Sequence, residues 1–249
     1  MSLSVVLATF NEENNLSDCL DSVKNLADEI VVVDGSSTDK TVEIAKQHEA
    51  NVKITTNKPI FHVNKQIAID MAIKDWILQL DADERVTTEL AEEIKSKIGD
   101  KKSETNGYWI PRKNWFLGRF LMKGGVYPDY TLRLYKRGKG KLPQKSVHEQ
   151  AVVEGETAYL KNPLIHMADQ TFSRYLLRWN RYVNLIKDEI RQEKLGFFAP
   201  IDYLIIKPIW WFLLTYIRHK GFMDSWQGFI FSFFSALRFP VAYAKYLKS

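Results

Sequence analysis

The chain has 249 residues, 45% of them hydrophobic and 13% aromatic, and a formal net charge of +5. That length holds one large domain or a domain with an appendage, and the ordinary apolar content allows a sizeable core. A single cysteine, Cys19, excludes an internal disulfide and a cysteine-based metal site. The charge is unevenly placed: residues 1–100 carry 10 Lys+Arg against 19 Asp+Glu, and residues 101–249 carry 25 against 11. A basic, aromatic second half suits a polyanionic partner, either anionic lipid or nucleic acid, or serves only to keep the protein soluble. Met1 leads almost directly into an apolar run with no basic region before it, which reads as a chain without a signal peptide, staying on the cytosolic side.

Leu3 to Thr9 is a near-continuous apolar run, as expected of a parallel strand covered on both faces. Asn11-Glu12-Glu13-Asn14 makes a polar turn, and Leu16, Cys19, Leu20 and Val23 follow at helical spacing. Ile30 to Val33 reads as a second strand, ending in Asp34-Gly35-Ser36-Ser37-Thr38-Asp39. Gly35 permits a tight turn there, and Ser37 or Thr38 is placed to cap the helix carrying Val42, Ile44 and Ala45. Val52–Thr55 is a short third strand, His62–Lys74 a helix, Trp76–Leu80 a fourth strand and Thr87–Ile98 another helix. Strands alternating with helices predict βαβ units and a parallel sheet.

Three strand ends therefore carry polar clusters, at Thr9–Glu12, Asp34–Asp39 and Asp81–Glu84. Right-handed crossovers bring such ends to one edge of the sheet, where open α/β folds bind ligands. Asp81 and Asp83, separated only by Ala82, can hold a hard divalent ion and share it with substrate phosphates. The plainer reading is that Asp81 caps the following turn while the other acids are solvated.

Asn11-Glu12-Glu13, the VVVDGSSTDKT stretch and the DADE stretch, in this order and spacing, resemble the family 2 glycosyltransferases, which have a GT-A fold. The resemblance spans residues 3–100 strongly and 105–150 more loosely. Within that family HVNKQIAIDMAIKDWILQLDADERV, the later YPDYTLRLYKR and Val147-His148-Glu149 are most similar to the lipopolysaccharide-core β-glucosyltransferases. The resemblance implies an inverting transfer from a nucleoside-diphosphate sugar, commonly a uridine diphosphate one, with Mg²⁺ or Mn²⁺ at the Asp-x-Asp. It implies that Thr9, Asn11 and Glu12 line the nucleoside pocket and that Asp34 contacts the base. Asp81 would lie near the ribose or sugar, and Asp83 would ligate the metal. Gly35 stands where many members have a second Asp. Lys65 stands where many have Arg, which weakens bidentate recognition but not charge pairing.

The middle of the chain has to supply the acceptor side. Gly107–Ile110 and Leu132–Tyr135 read as strands, with Arg112, Lys113, Arg119 and aromatic residues between them. An inverting transfer needs a carboxylate to take the acceptor's proton. Asp129 is the best match to the family pattern, and Glu149 is its rival. His148 could hold a diphosphate oxygen or orient Glu149, or be simply structural. Arg133, Lys136 and Arg137 could neutralise the leaving diphosphate or form a solvated rim.

From about residue 169 the chain becomes helical, with a long helix over Ser173–Glu193 and aromatic, apolar stretches at Ile201–Ile217 and Phe222–Tyr246. Neither stretch offers about 20 uninterrupted apolar residues, so the pattern fits helices lying in a membrane interface. A helical subdomain or a dimer interface is the alternative. The predicted architecture is α/β: a GT-A, Rossmann-like, mostly parallel sheet with flanking helices over 1–168, then an aromatic-rich, membrane-associating helical region over 169–249. The expected function is metal-dependent sugar transfer to a lipid-linked or lipopolysaccharide-core saccharide, peripherally on the inner membrane face. A polyprenyl-phosphate acceptor is the alternative within that class. A non-catalytic basic module on nucleic acid is the rival from another class, but no recognisable nucleic-acid module appears.

Overall fold

A computed structural model describes residues 1–58, 60, 62–143, 150–193 and 195–248. The chain forms two compact units, one of Met1–Arg112 with Asp129–His166 and one of Lys113–Pro128 with Met167–Ser249. In the first, β1 (Leu3–Thr9), β2 (Glu29–Asp34), β3 (Asn51–Ile54) and β4 (Trp76–Leu80) alternate with α1 (Leu16–Asp21), α2 (Thr41–Gln47) and α3 (His62–Met71). β5 (Glu84–Val86) and α4 (Thr88–Gly99) follow, then β6 (Gly107–Phe116), β7 (Arg119–Phe120) and β8 (Asp129–Lys136). β9 (Gly140–Lys141), β10 (Val152–Val153), β11 (Thr157–Tyr159) and β12 (Leu164–Asp169) complete the strands.

The strands run in the order β3-β2-β1-β4-β8-β6. The first four are parallel; β8 pairs antiparallel with β4 and with β6, and β12 pairs antiparallel with β5. The sheet is therefore mixed, its parallel half being the part legible as βαβ units. The apolar strands are continuous because both faces are covered. Leu3, Val5 and Leu7 face one way, onto Leu16, Cys19 and Leu20 of α1 and Leu90 and Ile94 of α4. Val6, Val31 and Val33 face the other way, onto Ala68 and Ile69 of α3. Period-two alternation thus feeds two separate cores from a single run.

The register sets where the strands end. Thr9 lies level with Asp34, and Leu7 with Leu80, so the loops after β1, β2 and β4 leave one edge. Antiparallel pairing brings the start of β8 and the Arg112 position of β6 to the same edge, since Leu78 is opposite Leu134 and Arg112 opposite Asp129. His166 of β12 is opposite Glu84.

The second unit holds α5 (Phe172–Gln192), capped by Thr171, whose hydroxyl accepts from the Arg174 N–H at 3.2 Å. After it comes a helical run from Ala199 to Arg218, and then a helix over Ser225–Leu247. Val183 and Ile190 pack with Tyr203, Ala242 and Tyr243, while Phe116 and Leu121 pack with Tyr175, Phe231 and Phe234. The second cluster explains why residues 113–128, read from the sequence as part of the first region, join this unit: Phe116 and Leu121 have their apolar partners here. Among the described residues no helix is long and apolar enough to cross a membrane.

Candidate functional site

The first two strand-end loops are stitched together by their own polar groups. Asp34 is fully buried: its Oδ1 accepts from the Thr9 hydroxyl at 3.0 Å and the Ser37 hydroxyl at 2.6 Å, and its Oδ2 from the Ser37 N–H at 2.7 Å. The Asn11 N–H donates to Ser37 Oγ at 2.8 Å, and Asn11 Oδ1 accepts from the Thr38 N–H at 2.9 Å. Asn11 does this at φ +54°, a left-handed conformation that Asn tolerates better than most residues. The Glu12 N–H donates to Thr41 Oγ1 at 2.8 Å, and Glu12 Oε2 accepts from the Asn15 amide at the same distance. Ser37 is thus spent on Asp34 and does not cap α2. Lys40 at the N-cap position makes no side-chain cap, and the Thr41 N–H that opens α2 is met by Asp39 Oδ1 at 3.0 Å. Thr9 and Asp34 form the floor of this corner, and exposed Asn11 and half-buried Glu12 its rim.

Beyond β4 the carboxylates meet cations at once. Asp81 Oδ1 is paired with Lys65 of α3, and its Oδ2 accepts from Arg133 of β8 at 2.6 Å. Glu84, with no exposed surface, accepts from the same Arg133 nitrogen at 3.0 Å and from Arg112 at 3.4 Å, both on Oε1. Its Oε2 accepts the Asp81 N–H at 2.9 Å. Arg112 then donates from Nε and Nη2 to Asp129 Oδ2, at 3.1 and 2.7 Å. The result is a continuous ionic chain, Lys65–Asp81–Arg133–Glu84–Arg112–Asp129, with three carboxylates against three cations. Burial alone raises the Asp81 carboxyl, but Arg133 and then Lys65 outweigh it and hold that carboxyl well below the usual range. Burial likewise works against the Arg133 charge, and Asp81 and Glu84 reverse it and raise the guanidinium pKa.

Lys65 and Arg133, both expected from the sequence to bind the nucleotide-sugar and Arg133 at its diphosphate, are each paired with Asp81. Buried Lys65 and Arg133, balanced by partly exposed Asp81 and buried Glu84, fix the loop after β4, because removing either partner of a pair strands a charge. Asp83 points elsewhere. Its Oδ1 lies 3.6 Å from His166 Nε2, and each side chain is 14% exposed. A carboxylate oxygen and an imidazole nitrogen at that separation fit two ligands of one divalent ion. Among the described residues no group of three such ligands forms, so an ion held here takes its remaining oxygens from substrate or water.

His148 and Glu149 lie outside the described residues. Sequence reasoning did not single out Glu84, Arg112 or His166. The signal for Glu84 lay in the DADE stretch itself. Arg112 and His166 take their places through the antiparallel registers of β6 with β8 and β5 with β12, which no local pattern announces.

Comparison with known proteins gives these geometries a context. The family model described as Glycosyl transferase family 2 matches residues 4–155. The lipopolysaccharide core biosynthesis glycosyltransferase LpsC of Rhizobium meliloti is 29% identical over 257 residues, covering 96% of this chain and 92% of that protein. An uncharacterized glycosyltransferase of Rickettsia typhi is 29% identical over 241 residues, covering 92% and 80%. Among solved structures, S. aureus TarS 1-349 in complex with UDP-GlcNAc superposes with a TM-score of 0.51 at 19% identity, covering 90% of this chain and 76% of that one.

Proposed function

Since the chain belongs to glycosyl transferase family 2, we propose that this glycosyltransferase moves a sugar, with inversion, from a nucleoside-diphosphate donor to a lipid-linked or lipopolysaccharide-core saccharide. Thr9, Asn11, Glu12 and Asp34 form the nucleoside corner, with Asp34 acting through the loop it holds. Asp81, near the ribose or sugar, holds Lys65 and Arg133 in place beside the donor. Asp129 is the general base: it takes the proton from the acceptor hydroxyl as that oxygen bonds to the anomeric carbon. The bond from that carbon to the diphosphate oxygen breaks, and the nucleoside diphosphate leaves with the electron pair. Asp83 and His166 would hold a divalent ion, Mg²⁺ or Mn²⁺, whose charge would offset that developing on the leaving diphosphate. His148 and Glu149 are assigned to positioning the acceptor.

The observation that carries this reading is the ionic chain from Asp81 to Asp129. It runs from the strand end of the Asp-x-Asp to the candidate base through Arg133, Glu84 and Arg112, so the two groups are held in one frame. Similarity to a lipopolysaccharide core enzyme supports the acceptor class. Uridine diphosphate as carrier is supported by the complex of the TarS relative. The basic, aromatic helical unit supports action at an anionic membrane surface, peripherally on the inner face. A screen of nucleotide-sugar hydrolysis across uridine, guanosine and thymidine donors, with and without Mn²⁺, tests the proposal. Release of nucleoside diphosphate from at least one donor, lost on chelation, is the expected result; no turnover of any donor would reject it.

A further inference from the structure

The helical run from Ala199 to Arg218 is unusual in its winding. Residues 199–201 and 207–212 are α-helical, whereas Asp202–Ile206 and Leu213–Arg218 are π-helical. An α-helix has 3.6 residues per turn, so residues four apart drift by about 40° at each step, and four such steps carry a stripe about 160° round the helix. A π turn closes on the fifth residue and is wider than four residues, so the same spacing drifts backwards. Alternating the two cancels the drift. Ile201, Ile205, Ile209, Leu213 and Ile217 stand four apart, and the winding keeps them in one line. Their exposures bear this out: all five lie between 49% and 56%. On a plain α-helix over this length some of them would turn onto the side occupied by buried Tyr203 and Thr215.

This leaves an aliphatic stripe open along its whole length, with exposed Trp210 beside it and exposed Phe222 and Trp226 beyond its end. The charges around it are predominantly positive. Between residues 201 and 249 the sequence holds six Lys or Arg and two acids: Asp202, ion-paired with Lys207 at 2.8 Å, and Asp224. Asp224 is 2% exposed and is spent on the backbone N–H groups of Met122 and Lys123. Arg218 and Lys220 are exposed immediately after the stripe.

We propose that the Ile201–Ile217 stripe is an interfacial membrane-binding face, kept straight by the α/π alternation and seated among the acyl chains of an anionic bilayer; this specifies the membrane-surface part of the function above and rests on it. Branched aliphatic side chains without a specific hydrogen-bonding pattern suit acyl chains, and cations at the margin suit anionic headgroups. A second copy of this chain fits poorly, because a two-fold interface would set a positive face against itself.

Flotation of the full-length protein with phosphatidylglycerol/phosphatidylethanolamine vesicles tests this, with pure phosphatidylcholine vesicles for comparison. Wild-type protein is expected to float with the anionic vesicles and to stay partly bound in high salt, since apolar burial is not screened as charges are. Ile205→Asp/Ile209→Asp should lower the bound fraction about tenfold or more, two half-exposed side chains having been removed from the buried face. Leu177→Asp, at an exposed site on α5, should bind as wild type. Circular dichroism melts check that both variants fold. Equal flotation of the stripe variant and wild type, or no flotation of wild type with anionic vesicles, overturns the proposal. A wild-type dimer in sedimentation equilibrium that the stripe variant dissolves also overturns it, in favour of self-association. Calorimetric titration with uridine diphosphate separates the two ideas: loss of vesicle binding with intact nucleotide binding sinks the stripe alone, whereas vesicle binding without nucleotide binding sinks the transfer reading.

Discussion

Glu84→Gln is the most informative single change, because it preserves the shape of a fully buried side chain and removes only its charge. Glu84 makes three contacts: to Arg133 at 3.0 Å, to Arg112 at 3.4 Å and to the Asp81 N–H at 2.9 Å. Every one of these partners is a donor. Whichever way the glutamine amide turns, its NH₂ faces either two guanidinium groups or a backbone N–H. If the amide oxygen keeps the Asp81 N–H, the loss is the charge-assisted bond to Arg133, about 1.5–3 kcal/mol, and the longer one to Arg112, about 0.5 kcal/mol. The total is about 2–4 kcal/mol, which for a chain of this size lowers the melting temperature by about 4–16 °C. Urea denaturation followed by far-ultraviolet circular dichroism measures it. Arg112 also loses one of its two carboxylate anchors, so turnover should fall with stability. A shift below about 0.5 kcal/mol, the size of an ordinary surface substitution, would refute the claim that the ionic chain holds the site together.

Asp129→Asn should depress turnover by about 10²–10⁴-fold, the usual contribution of a general base, while donor binding by calorimetry stays near wild type. Glu149→Gln should act on acceptor affinity instead, and kinetic profiles against acceptor concentration tell the two roles apart; a reversed pattern reverses the assignment. The pH dependence of stability follows from Asp81, where burial raises the carboxyl but Arg133 and Lys65 together pull it well down. With a depressed folded-state value, the unfolded chain takes up the proton first as pH falls. The stabilisation is therefore complete above the unfolded value of about 3.9 and is lost as pH drops toward the folded one. Asp81→Asn should flatten the urea midpoint against pH below about pH 5, and parallel profiles would show that Asp81 carries no such linkage.

How far the sequence revealed this protein depended on the range of the interactions involved. β1, β2 and β4 were legible because runs such as Leu3–Thr9 and Trp76–Leu80 are buried on both faces and leave no polar face to confuse them with helices. The convergence of their ends was legible too, since parallel crossovers of one hand allow little else. The antiparallel half was not. That Arg112 would lie opposite Asp129, and His166 opposite Glu84, depends on strand registers set by turns and by packing far along the chain. For the same reason the pairing of Lys65 and Arg133 with Asp81 could not be read from the sequence, where each stands as an isolated cation. The winding of residues 199–218 had no local signature either: the four-residue spacing of its Ile and Leu side chains is out of phase with an α-helix and acquires meaning only once the π turns are seen.

Central to the proposed function is that Asp83 and His166 would hold a divalent ion against the donor diphosphate. Calorimetric titration of uridine diphosphate into wild-type protein, Asp83→Asn and His166→Gln, each with and without Mn²⁺, addresses that directly. Wild-type protein should bind the nucleotide markedly more tightly with Mn²⁺ than without. Asp83→Asn should lose that metal-dependent gain and His166→Gln most of it, while both keep the weaker metal-independent binding supplied by the nucleoside corner. Equal Mn²⁺ enhancement in wild type and Asp83→Asn would contradict the account.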